Sequence, residues 1–230
     1  MSTITVNNIE IEVTRKNIKN IHLSVHPPNG EVKISSPLHV NDNALTLFVL
    51  SKMEWLQNQI YKFKILDKIK ETYYITGETH YLFGKPYLLN VIEIDKGSPK
   101  VEMRNKKYID LYIKKESSKE KKEKIMKEWY REELKKEIPP LIEKWEEIIG
   151  EKVNDWGVKQ MRTRWGSCNT KDKRIWINLE LVKKPYHCLE YVIVHEIMHL
   201  VERGHGLFFQ RLMDKFYPDW RTIKEQLNRI

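Results

Sequence analysis

Apolar and polar positions alternate along the first forty residues. The stretch ITVNNIEIEV, residues 4–13, places Ile4, Val6, Ile9, Ile11 and Val13 among polar neighbours. IHLSV (21–25) and VKIS (32–35) follow, around the turn signal Pro27-Pro28-Asn29-Gly30. Period-two alternation about a Pro/Gly turn predicts strands joined as a hairpin. The period then changes. Leu45, Phe48, Val49, Met53, Leu56 and Ile60 recur at helical spacing, with Asn41 or Asp42 placed to cap a helix reaching about Leu66. Strands return over 72–94, broken by Gly77 and Gly84, and residues 100–113 read as a hairpin turning at Asn105. A long helix over about 117–149 is expected to split or kink at Pro139-Pro140 and to stop at Gly150.

The last third has the same kind of pattern with different residues. WGVKQM (156–161) predicts a short strand, TRWGSCNTKDKR a turn-rich connection, and IWINLELV (175–182) a strand with Ile175, Ile177 and Leu179 on one face. Pro185 then opens a helix running through HCLEYVIVHEIMHLVER to Gly204. A short helix, FFQRLMDKF, and a final helix to Ile230 close the chain. These elements predict an α+β protein. A strand-rich region with a helix occupies residues 1–115, and residues 116–230 hold a helix packed against a small sheet. No internal repeat is visible in the sequence.

Composition narrows the class. The chain has 230 residues, 40% apolar and 10% aromatic, which suits a folded globular protein. No run approaches the roughly 18–20 apolar residues of a membrane helix. Two cysteines, Cys168 and Cys188, with no secretory signal at the start, point to a reducing cytoplasm. The net charge of +9 comes mostly from lysine. Around Lys114 to Glu137 that lysine is interleaved with glutamate, as on a solvated helix face with i,i+4 pairs. A weak nucleic-acid-binding surface is the second reading of the same excess.

The candidate chemistry lies in His195-Glu196-Ile197-Met198-His199, an H-E-x-x-H motif inside the apolar helix. Four residues make about one turn, so both imidazoles leave one face and can share a tetrahedral zinc. Glu196 can reach a water on that metal without ligating it, and so act as general base. The flanking Val192, Ile193, Val194, Ile197, Met198, Leu200 and Val201 bury the helix, and buried imidazoles and carboxylates need partners. His205 follows six residues after His199. A continuing helix would carry it about 9 Å away, but a left-handed cap at Gly204 would turn the chain back and make His205 the third ligand. The H-E-x-x-H-x5-H spacing is that of metzincins, although Glu202 stands where metzincins have glycine. Three protein ligands leave a fourth position open, as in catalytic zinc sites.

Thr163-Arg164-Trp165-Gly166-Ser167-Cys168, Ile177 to Leu181 around Asn178, Tyr191-Val192 ahead of the metal motif, and His205-x-x-Phe208-Phe209 followed by Pro218-Asp219 together resemble the YgjP-like metallopeptidase family. That family is similar to SprT-like and WLM zinc peptidases. The resemblance is strongest over about 155–221. It implies a zincin-like C-terminal half, zinc on His195, His199 and His205, Glu196 as base, and a peptide or protein substrate. Gly206 and Phe209 depart from the serine and tryptophan frequent in relatives, at positions expected to lie off the chemistry.

Supporting residues have two readings each. Arg162 and Arg164 hold a substrate carboxylate or an oxyanion, or form structural ion pairs. Asn178 orients a ligand histidine or caps the turn before the helix. Tyr186 and Tyr217 hydrogen-bond an oxyanion or simply pack. Cys168 is a thiol near the metal or a packed small hydrophobe. The edge of IWINLELV could accept an extended peptide as an added strand. Activity on a non-peptide amide, or on DNA-bound protein as in SprT-like relatives, are the alternative functions.

Overall fold

The computed structural model describes residues 2–26, 30–69 and 72–228, with the backbone alone for 62–69. The Pro27-Pro28-Asn29 turn lies outside the described residues. Contacts divide the chain into two compact units, Met1–Glu71 and Thr72–Ile230. The junction expected after residue 115 falls inside the second unit.

In the first unit, strands β1 (Ser2–Val6), β2 (Ile9–Lys16), β3 (His22–His26) and β4 (Glu31–Pro37) form a sheet in the order β1-β2-β4-β3. The alternation put Val6, Ile11, Val13, Val32 and Ile34 on one face. There they bury with Leu45, Val49 and Leu56 of helices α1 (Asp42–Ser51) and α2 (Met53–Ile69). The expected single helix is therefore two, separated at Lys52, whose N–H bonds the carbonyls of Val49 and Leu50. Asn41 caps α1, its Oδ1 accepting from the Ala44 N–H at 2.9 Å.

The second unit opens with β5 (Thr79–Leu82), β6 (Lys85–Ile94), β7 (Lys100–Arg104) and β8 (Tyr108–Lys114), ordered β5-β6-β8-β7. Both four-stranded sheets share one connectivity: an antiparallel pair, a parallel pair, then an antiparallel pair. The hairpin turns at Asn7-Asn8 and Phe83-Gly84 both use positive φ.

Helix α3 (Lys119–Ile149) runs unbroken through Pro139 and Pro140. Its buried stripe of Leu134, Ile138, Leu141, Ile142 and Trp145 spans the dipeptide. This packing holds the helix across the two missing N–H donors. Gly150 ends it at φ +85°. A third sheet, ordered β10-β11-β9, contains β9 (Asp155–Lys159), β10 (Gly166–Asn169) and β11 (Arg174–Asn178). Strand β11 stops at Asn178 and becomes a 3-10 turn, Leu179–Lys183, where a continuing strand was expected. The Asn178 Oδ1 accepts from the Glu180 N–H and bends the chain there. Helices α4 (Tyr186–Val201), α5 (Leu207–Phe216) and α6 (Trp220–Asn228) complete the unit.

One core joins these parts. Leu82, Leu89, Ile109 and Leu111 of the second sheet bury with Ile175 and Ile177 of β11 and with Val192, Ile193, Val194 and Ile197 of α4. The β5–β6 turn is fastened to the start of α4. Phe83 N–H donates to the Val182 carbonyl, and a Cβ on Gly84 would lie 2.8 Å from Pro185 Cα. That packing, from residues on both sides of position 115, is what makes the sheet and the α4 region one unit. No helix among the described residues is long and apolar enough to cross a membrane.

Candidate metal and active site

The apolar stripe that buries α4 also fixes where its polar residues face. His195 and His199, one turn apart, leave the exposed edge of the helix, and His205 arrives from the segment between α4 and α5. One nitrogen from each ring lies within 4.8 Å of the others. The Nε2 atoms of His195 and His205 are 3.0 Å apart. His199 Nδ1 donates to the Glu202 carbonyl at 3.1 Å, which leaves its Nε2 lone pair free.

His205 reaches the cluster by a different turn from the one expected. Gly204 does not take a left-handed conformation. Helix α4 ends because Glu202 adopts an extended backbone, φ −139° and ψ 115°. Its side chain then accepts from the Gly204 N–H at 2.9 Å. A glutamate whose carbonyl holds His199 and whose carboxylate closes the turn therefore does the work assigned to the glycine.

The protein atoms alone leave this cluster unbalanced. Burial holds the His195 imidazole down at a pKa of about 3, with His199, His205 and Lys224 adding like-charge repulsion. Burial also lowers His199, against the bond to Glu202. His195 and His199 are therefore neutral donors of lone pairs, and His195 Nδ1 is buried without a partner among the described residues. Three imidazoles with nitrogens this close together form a donor set that suits a borderline-soft divalent cation.

Glu196 is buried beside them. Burial raises its carboxyl pKa to about 8, opposed by the nearby Arg164 guanidinium. Strand β10 makes room for it. A Cβ on Gly166 would come within 2.5 Å of Glu196 Oε1, so the carboxyl rests directly on the Gly166 backbone. A cleft of about 890 Å³ opens here, lined by Arg164 to Lys171, Tyr191, the three histidines, Glu196, Arg203 and Lys224. The segment read as a mere connection is thus a strand forming one wall. It is also an edge strand, whereas β11, the expected edge, lies in the middle of its sheet.

The sequence model of the YgjP-like metallopeptidase domain matches residues 19–230. The chain belongs to the YgjP-like metallopeptidase family. Among proteins with curated descriptions none matches it. A solved structure, the jannalysin metallopeptidase zymogen of Methanocaldococcus jannaschii, is similar at 19% identity and a TM-score of 0.34. The overlay covers 38% of this chain and 90% of that one.

Other residues of this YgjP-like chain divide clearly between the cleft and the scaffold. Arg164 lines the cleft and makes no ion pair among the described residues, contrary to its structural reading. Asn178 does not touch a ligand histidine. Its Nδ2 donates to the carbonyls of Met161 and Arg164 at 3.0 and 2.7 Å, tying down the loop that carries Arg164. Tyr217 is turned away. Its hydroxyl bonds the His187 carbonyl and Glu190 at 3.4 Å, and its ring packs on Trp145 and Tyr191. Tyr186 packs edge-on against Phe83, also outside the cleft lining. Burial and the neighbouring Glu196 push the Cys168 thiol up to about 11, so it stays protonated in the cleft wall.

Phe209 corrects a further expectation. Its ring centroid is 4.9 to 5.0 Å from all three imidazole centroids, and it is 1% exposed. The departure from the family's tryptophan thus sits against all three candidate ligands. Phe209 lies in the first turn of α5, which begins two residues after His205, and that nearness in sequence is the signal that could have placed it there.

Proposed function

We propose that this chain is a zinc-dependent peptidase, with His195, His199 and His205 holding the metal and Glu196 acting as general base. The observation carrying this reading is the convergence of three imidazoles with a buried carboxyl at the floor of an open cleft. Zinc in that donor set supplies Lewis acidity toward water and toward a carbonyl oxygen.

The chain's own residues supply the remainder. Glu196 has an unusually high proton affinity, so its carboxylate is a strong acceptor for the proton of an attacking water. The same carboxyl then delivers that proton to the leaving amine. The edge of β10 offers unpaired backbone groups to an extended peptide, and so aligns a carbonyl over the floor of the cleft. Arg164 can bear on the developing negative charge from the rim. Asn178 positions it by holding its loop, and Glu202 and Phe209 set the imidazole orientations.

The test is cleavage of a diverse peptide library by the zinc-loaded protein, with Glu196→Gln as control. Cleavage falling by about a hundredfold or more in the variant, with zinc retained, is the expected result. Cleavage of small amides alone would overturn the peptide assignment. Equal activity in both proteins would overturn the role of Glu196.

A further inference from the structure

Four exposed cations line the cleft: Arg164, Lys171, Arg203 and Lys224. They come from four separate places in the chain. Arg164 stands just before β10 and Lys171 just after it, Arg203 follows α4, and Lys224 lies on α6. None forms an ion pair among the described residues. On α3, Lys127, Arg131, Lys135 and Lys136 are each paired with a glutamate. Among the residues lining the cleft the single carboxyl is Glu196, which is buried and rests on the Gly166 backbone.

A recess walled by unpaired cations and containing one buried acid has a focused positive potential, which a divalent ion would strengthen. Arg164 and Lys171 bracket β10, so a chain laid along that edge meets a cation near each end. We infer that the cleft selects peptide segments with aspartate or glutamate on both sides of the scissile bond. The inference rests on the peptidase reading for its substrate class. It adds the charge that the substrate must carry.

A peptide is favoured over a nucleic acid by the shape of the site. Two of the cations, Arg164 and Lys171, flank an edge strand, where an extended backbone can pair. Aromatic side chains that would stack bases are sparse there: besides the three candidate ligand histidines, Trp165 and Tyr191 are the aromatic residues of the lining, and the Lys184 ammonium lies 5.5 Å from the Trp165 ring centroid, over its face.

The experiment uses the full chain loaded with zinc. Fluorescent peptides of one length, with acidic, neutral or basic flanks, are titrated against Glu196→Gln by anisotropy, and wild-type cleavage of the same three is measured. Acidic peptides should bind and be cleaved at least about tenfold better than neutral ones at low salt, with the gap closing as salt rises. Arg203→Glu with Lys224→Glu should reverse the order. Equal binding of all three peptides, or preference for the basic one, would overturn the inference. So would a single-stranded oligonucleotide that binds more tightly than the acidic peptide and displaces it. If the acidic peptide binds selectively but wild type cleaves none, the charge preference stands and the peptidase reading fails.

Discussion

Glycine at position 166 and glutamate at 196 are one structural feature. The carboxyl occupies the space a side chain on β10 would need, which is why the strand has none there. Gly166→Ala should lower peptide cleavage by about tenfold or more while zinc stoichiometry stays unchanged, because a displaced base costs rate and not metal. Loss of zinc in that variant would show that Gly166 serves the ligands instead. The buried acid also has a thermodynamic signature. Its folded pKa, about 8, is above its unfolded value near 4.5. The folded state then binds more protons between those values, so stability falls as pH rises through that window. In metal-free protein, the gain in Tm from Glu196→Gln should therefore be small at about pH 5 and larger above about pH 8. A gain independent of pH would contradict the burial of an ionisable group there. Of these residues, the histidines and Glu196 were legible from the motif. Gly166 was quoted only within a family signature, because a glycine's purpose shows only when the atom facing it is known.

Elements with long periodic patterns were legible, and short ones were not. The alternation of β2, β6 and β8 and the apolar residues of α4 mark their own faces, since each buries two or more residues at one period. Strand β10 is four residues, Gly-Ser-Cys-Asn, with no β-branched or aromatic member, so it read as a turn. Its pairing with β11 is long-range information. The break at Asn178 and the straight passage of α3 through two prolines were likewise decided by side-chain capping and by tertiary burial, which override local preference. The segment after α4 is the most consequential case. A glycine at 204 invited a left-handed turn, yet Glu202 makes the turn through its carbonyl and carboxylate. Because a Cβ at Gly204 would meet nothing closer than 3.4 Å, Gly204→Ala should leave zinc affinity within about threefold. Glu202→Ala keeps the carbonyl that holds His199 but loses the carboxylate that closes the turn before His205, so it should weaken zinc by about tenfold. Calorimetric zinc titration of the two variants compares them, and the opposite ranking would restore the glycine turn.

For the molecule as a whole, the sequence presents no repeat, but both units begin with a sheet of identical strand order. Val6, Ile11 and Val13 of the first correspond in burial to Leu82, Tyr87 and Leu89 of the second. Residue identity differs at each position, and only the alternation is shared, so the likeness is carried by pattern and connectivity. The second unit puts its sheet to another use, fastening the Phe83-Gly84 turn against the start of α4 and thereby steadying the helix that bears two of the three imidazoles. Metal binding should therefore be felt across this unit's cooperative core, as a rise in Tm that scales with the logarithm of free zinc. The most direct test of the central assignment is a zinc titration of the metal-free full chain beside His205→Ala, by competition with a chromophoric chelator. One ion per wild-type chain, and binding weakened by about a hundredfold or more in the variant, is the predicted result. Sub-stoichiometric zinc in the wild type, or unchanged affinity in His205→Ala, would contradict it.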